Sequence, residues 1–238
     1  MSLSQIGPEW LVYVDVGSLG GAKYTWSSYP QVYNVMFEPH SDQACVHTHN
    51  SVTLNQALSD HTGSHLLYLT QSDGCCSLLK PNFQFLKDYS VRRAFEVKDF
   101  LEVPVIPYMN LHAQAQVPVP DVIKIDVQGY EYQVLKGFGD LLDNVVAIEL
   151  ETSLYQIYEH QKTLPDILTY LAQFDFVLSK LSPIPHWDGT VVEFDAVFIK
   201  HPRALSGMNA HAHTKLQAVI HELNLTPCVP QFPEGFVF

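Results

Sequence analysis

Basic residues are scarce in this chain. Thirteen lysines and arginines stand against 25 acids in 238 residues, a formal charge of −12, and they gather into no basic cluster. A surface for polymeric nucleic acid or an anionic membrane must neutralise phosphates, so neither partner is expected. No apolar run approaches the roughly 20 residues of a membrane span. The opening "MSLSQIGPEW" has neither the basic flank nor the apolar stretch of a secretion signal, and a cytoplasmic location is expected. Cysteine is sparse as well. Cys45, Cys75, Cys76 and Cys228 fit neither a zinc knuckle nor a disulfide framework and read as thiols in a reducing compartment. The histidine pairs in "HTH" (47–49) and "HAH" (211–213) have no third ligand nearby and read as solvated. Also missing are the GxGxxG of a dinucleotide-binding turn and the Gly-Lys-Ser/Thr of a Walker loop.

What is present is enough to fold. Hydrophobic residues make up 47% and aromatics 12%, which excludes disorder and supplies a sizeable core. Strand-like and helix-like periods alternate, the pattern of an α/β sheet covered on both faces. "WLVYVDV" (10–16), "QVYNVMFEP" (31–39) and "SVTLNQALSD" (51–60) read as the first three strands. "AKYTWSSY" between the first two has room for two helical turns at most. From 61 to about 105 the alternation is lost, with short extended pieces at "HLLYLT", "SDGCCSLL" and "FEVKDFLEVPVIPYMNL".

Regularity returns with "VIKIDVQG" (122–129), the helix "YEYQVLKGFGDLLDN" and "VVAIELE" (145–151). "TLPDILTYLAQF" (163–174) carries Thr163 as N-cap with Asp166 three residues on, close to a capping box. "FVLSKL" and "TVVEFDAVFIK" follow, joined by "SPIPHWDG". That connection is too short for a crossover helix, so these strands are expected to pair antiparallel. A last helix, "HTKLQAVIHELN", precedes a Pro-rich tail. No linker or repeat divides residues 1–238, and one domain is expected, with the irregular 61–105 inserted and a C-terminal helix and tail at about 209–238. A mostly parallel seven-stranded sheet ending in an antiparallel hairpin, with helices on both faces, is the arrangement of the S-adenosylmethionine (SAM) methyltransferases, a Rossmann-like fold.

The chemistry concentrates in "LVYVDVGSLGG" (11–21). Open α/β sheets bind ligands where their strands end, near the switch point. Glu38, ending the second strand, is placed to accept both ribose hydroxyls of a nucleoside. Asp15, ending the first, stands where a dinucleotide would put its pyrophosphate, and a carboxylate there repels phosphate. SAM has no phosphate, and its methionine end carries an ammonium that Asp15 can neutralise. Gly17 and Gly21 let the backbone come close.

The segment "VIKIDVQGYEYQVLKG" (122–137) resembles the core motif of the FkbM family of methyltransferases, which read close to "IKIDVEGxExxVLKG". "VDVGSLGG" resembles that family's first motif and "FEPHSD" its "FEP" motif. "ALSDHTGSHLLYLT" with "GCCSLLKPN" resembles its middle hairpin region, and "VVAIELE" its fifth strand. The resemblance runs from about residue 11 to 200. It implies a Rossmann-like methyltransferase fold and methyl transfer from SAM, usually to a hydroxyl of a sugar or secondary metabolite such as a polyketide. It carries Asp15, Gly17 and Gly21 over to the methionine end of SAM and Glu38 to the ribose. Ser18 and Pro39 are counted in the same cofactor group, and Asp126 falls beside the transferring methyl. Leu19 departs from the Asn or Arg of many members. So does Asn110, where Leu-Asp is more common. Relatives commonly carry a covering segment before the first strand. Either another element or a second copy of the chain is expected to close the pocket here, or a covering segment is missing.

A hydroxyl must lose its proton to accept a methyl group. Asp126 is one candidate base, or else it orders its loop or contacts the methionine amine. His186 in "PIPHWDG", with Trp187 beside it as an acceptor wall, ranks second. Glu149 and Glu151 share a face that reaches the pocket rim or meets basic side chains; with Asp126 they make no recognisable metal site. The 61–105 segment is the natural lid or acceptor pocket. Its "NFQFLKDYSVRRAF" offers aromatics to stack on an acceptor and Arg92 and Arg93 to meet an acid, or else it forms a satellite apolar cluster. Two other functions compete: a binding or scaffold protein that keeps the fold without turnover, and a nicotinamide-dependent oxidoreductase, disfavoured by Asp15.

Overall fold

The computed structural model describes residues 3–225 apart from Gly20, Thr25, Ser27 and 40–45. Cys45, Cys228, the side chain of His47 and the Pro-rich tail lie outside the described residues. β1 (Leu11–Val16) is followed by β2 (Val32–Phe37), a two-residue β3 (Val46–His47) and β4 (Ser51–Leu54). Then come β5 (Ala57–Leu58), β6 (Gly63–Thr70), the one-turn helix α1 (Phe83–Leu86) and β7 (Val97–Ile106). Helix α2 (Tyr108–Ala113) leads to β8 (Val122–Ile125), α3 (Glu131–Phe138) and β9 (Ala147–Ser153). The described chain ends with α4 (Leu164–Ala172), β10 (Phe176–Pro183), β11 (Glu193–Lys200), α5 (Pro202–Leu205) and α6 (Ala212–Glu222).

All six residues of β1 are buried, as a continuous apolar run requires at the centre of a sheet covered on both faces. The main sheet runs β10-β11-β9-β8-β1-β2-β4-β3. β4, β2, β1, β8 and β9 are parallel neighbours, and β11 is antiparallel to both β9 and β10. The seven expected strands thus form the expected mostly parallel sheet with its closing hairpin, and β3 adds a short antiparallel edge outside β4. The chain leaves β1 to one side for β2 and returns to its other side with β8. That switch point opens a crevice at the strand ends.

Alternation along β1 divides the core. Val12, Val14 and Val16 face a cluster with Leu135 and Phe138 of α3, Ile167 and Leu171 of α4, and Val103 and Val105 of β7. Leu11 and Tyr13 face Trp26 and the α6 residues Leu216 and Val219. α4 begins with the Thr163–Asp166 capping box read from the sequence.

Four details differ from the sequence reading. "YMNL" (108–111), read as extended, lies in helix α2. The expected third strand, 51–60, divides at Asn55-Gln56 into β4 in the main sheet and β5 in a second sheet ordered β5-β7-β6. In place of a strand, 73–75 forms a 3-10 turn. The helix after β8 is α-helical only to Phe138, because Gly139 takes a positive φ and a 3-10 segment follows to Asn144.

Candidate active site

A cleft of about 710 Å³ lies at the carboxyl ends of β1, β2 and β8, within the size range of small-molecule sites. Every residue assigned to the cofactor from the sequence lines it: Asp15, Gly17, Ser18, Gly21, Glu38 and Pro39, with Asp126 on the β8 side. Leu67, Cys76 and Leu78, from the segment around the small sheet, add an apolar wall. The irregular middle region is therefore part of the cleft, as its position in the sequence led one to expect. Five acids line the cleft (Asp15, Glu38, Asp73, Asp126, Glu151) against two lysines (Lys23, Lys124).

The turn after β1 is shaped by its neighbour before any ligand. Gly17 has φ +80°, and a Cβ there would stand 1.9 Å from the Asp126 carbonyl oxygen. Only glycine lets the ends of β1 and β8 lie this close. The amides of Gly17 and Ser18 both donate to the Phe37 carbonyl, so the turn is also tied to the end of β2.

Strand register then sets a row of charge. Asp15 lies opposite Lys124, and Lys124 opposite Glu149. Lys124 Nζ is 3.3 Å from Asp15 Oδ1 and 3.4 Å from Asp126 Oδ2, and it donates to the Gly17 carbonyl at 3.2 Å. Asp15 is fully buried; its Oδ2 accepts from the Lys23 amide at 3.0 Å and from Tyr13 Oη at 3.3 Å. Its Oδ1 is buried without a well-aligned hydrogen bond. Burial outweighs the Lys124 charge and pushes the Asp15 carboxyl above its usual range. Glu149 meets Lys23 Nζ and Tyr24 Oη, each at 2.6 Å. Of the two glutamates on β9, Glu149 pairs with base and hydroxyl, while Glu151 reaches the cleft.

The loop after β8 holds what the sequence reading missed. Gln128, at φ +55°, donates through Nε2 to Asp126 Oδ1 at 3.1 Å and to Glu151 Oε1 at 2.6 Å. Its own Oε1 accepts from Tyr158 Oη at 2.9 Å, so the amide fixes the orientation of both acids. Glu131, at the start of α3, accepts from the amides of Gly129 at 2.9 Å and Val127 at 3.3 Å. Burial raises its carboxyl to about 8. The Glu151 carboxyl is pushed well up by burial and then by the neighbouring Glu193 and Asp126. The signal available beforehand was a charged residue inside each apolar run: "VYVDV", "VIKID", "AIELE".

Other candidates lie elsewhere. His186 does not line the cleft; its side chain is 54% exposed, with Nε2 3.5 Å from Glu193 Oε2. Trp187 is no acceptor wall. It is fully buried in a cluster with Leu86, Phe95, Ile157 and Tyr158, and its Nε1 donates to Glu193 at 3.0 Å. Phe85, Tyr89 and Phe95 of the "NFQFLKDYSVRRAF" run pack on that indole, so these aromatics form the satellite cluster. Arg92 and Arg93 are exposed and away from the cleft. Asn110 donates to Thr62 outside it. Leu19 stands at the cleft mouth, 62% exposed.

A family model described as a methyltransferase FkbM domain matches residues 20–178. That span takes in Gly21, Glu38, Pro39 and Asp126 and begins after Asp15, Gly17 and Ser18. Among solved structures, the chain is similar to methyltransferase FkbM from Methylobacillus flagellatus KT at 12% identity and a TM-score of 0.45. The likeness covers 82% of this chain and 45% of that one, so the chain spans less than half of that protein's length. No curated protein matches.

Proposed function

As the chain belongs to the FkbM methyltransferase family, we propose that it transfers the methyl group of SAM to a hydroxyl of a small molecule, a sugar or other secondary metabolite. The observation that carries this reading is the buried Asp15 Oδ1, which has no well-aligned hydrogen bond in a cleft where acids outnumber bases. Lys124 stands 3.3 Å from that oxygen without a well-aligned bond, which leaves it able to take a further donor, and the ammonium of the methionine moiety is such a donor. A pyrophosphate in the same place would face Asp15 and Asp126 and find two lysines already engaged, Lys124 by both of those acids and Lys23 by Glu149.

Asp15 and the turn at Gly17 would hold the methionine end, and Glu38 at the end of β2 would take the ribose hydroxyls. SAM, when bound, supplies an electrophilic methyl on a sulfonium. The protein's own share is to orient an acceptor in line, exclude water and remove a proton. Asp126 and Glu151, held by Gln128, are the acids on the side of the cleft away from β2. The small-sheet wall would cover the acceptor.

The test is methyl transfer from isotopically labelled SAM to a panel of hydroxylated acceptors, read by mass spectrometry. Label on an acceptor oxygen is the expected result. SAM binding without transfer to any acceptor favours a binding protein that has kept the fold. NAD binding without SAM binding overturns the reading.

A further inference from the structure

We propose that Glu151 is the group that takes the acceptor's hydroxyl proton, and that Glu193 and His186 are its route to solvent. The proposal rests on the methyltransferase reading and concerns this chain's own side chains. Glu151 lines the cleft. Gln128 Nε2, at 2.6 Å, holds one of its oxygens. Glu193, on the neighbouring strand β11, lies opposite Ser153 and so shares the face of Glu151, diagonally across from it and within hydrogen-bonding reach. On its far side Glu193 accepts from Trp187 Nε1 at 3.0 Å and faces His186 Nε2 at 3.5 Å. Glu193 is buried while His186 is exposed. A chain of three titratable groups therefore runs from cleft to solvent behind the wall that Trp187 seals.

Two carboxyls in contact cannot both be ionised at little cost, so one proton is shared between them. The largest electrostatic influences on the pair are acids, and the imidazole of His186, on the β10–β11 loop, offsets them at Glu193. Asp126 comes from the loop after β8, Glu131 from the start of α3, Cys75 from the turn after β6 and Tyr158 from the segment after β9. Burial and neighbouring carboxylates accordingly hold Glu151 protonated longer than an ordinary glutamate. Asp126, the other acid at this place, is different: it is ion-paired, with Lys124 3.4 Å from it.

A cationic ligand in the cleft reverses the balance at Glu151, because an opposite charge nearby favours the ionised form. The proton then leaves through Glu193 to His186. In the transfer itself the acceptor O–H bond breaks with its proton going to the ionised Glu151. The new O–CH3 bond forms as the S–CH3 bond breaks, its electron pair remaining on sulfur.

The experiment is calorimetry of SAM binding to the full chain near neutral pH in buffers of different ionisation heat. Wild-type protein is expected to release about one proton per SAM bound, and Glu151→Gln to bind SAM with that release lost. Stopped-flow with a pH indicator is expected to show slower release in His186→Ala without a change in amount. Infrared titration of the ligand-free protein should lose a protonated-carboxyl band in Glu151→Gln. SAM binding with no proton released, or with equal release in Glu151→Gln, overturns this inference alone. Failure of SAM to bind removes the methyltransferase reading and the inference with it.

Discussion

Two neighbouring parts of one sheet treat their acids in opposite ways. Around β1 and β8, Asp15 has Lys124 directly across the register, and Glu149 has Lys23 and Tyr24. Around β9 and β11, Glu151 and Glu193 have each other, an amide from Gln128 and an indole from Trp187, with no lysine or arginine among these contacts. Paired charge of the first kind holds the strand ends together. Unpaired charge of the second kind costs stability in the ligand-free protein, and it persists where a ligand or a proton completes it. The difference separates acids tied to lysines from acids tied to each other and to neutral donors.

The largest effect is expected from breaking the paired side. Lys124→Met leaves Asp15 buried without its cation and removes the donor to the Gly17 carbonyl. Chemical denaturation should show a loss of about 3–5 kcal/mol. A loss below that of a surface substitution would mean that Asp15 is carried by the Lys23 amide and the Tyr13 hydroxyl.

A middle case is Glu131, buried among backbone amides with no cation. Its folded carboxyl titrates near 8 against 4.5 when unfolded, so the folded state binds more protons than the unfolded state between these values. Stability therefore falls as pH rises through that window and is regained on acidification towards 4.5. Glu131→Gln should flatten the slope of melting temperature against pH. An unchanged slope would assign the proton uptake to Glu151 and Glu193.

The smallest effect belongs to the unpaired side. Glu151→Gln keeps an oxygen for Gln128 and removes a repulsion with Glu193. Melting near neutral pH should shift stability by about 0.5 kcal/mol or less, and upwards if it shifts. A loss as large as that of Lys124→Met would abolish the distinction between the two sides.

Much of this was legible in the residues. The mostly parallel sheet, its closing hairpin, the α4 cap and the acids lining the cleft at the ends of β1 and β2 follow from apolar runs, acids at strand ends and ordered motifs. What sequence could not give was register. Asp15, Lys124 and Glu149 are scattered over 135 positions, and only pairing puts them in one row. Gln128 and Glu131 look like ordinary helix-start residues until the positive φ at 128 and the buried amides are seen. Trp187 beside His186 reads as an exposed aromatic wall because burial in a satellite cluster depends on Leu86, Phe95 and Tyr158, far away in sequence.

We propose that the acid at the end of β1 selects a cation and rejects a phosphate. Calorimetric titration of wild-type protein and Asp15→Asn with SAM and with NAD tests it most directly. The account predicts SAM binding by the wild type and no NAD binding. It also predicts SAM affinity about ten-fold weaker or more in Asp15→Asn, the loss of one charge-assisted hydrogen bond. NAD binding to the wild type, or SAM affinity untouched in Asp15→Asn, would contradict it.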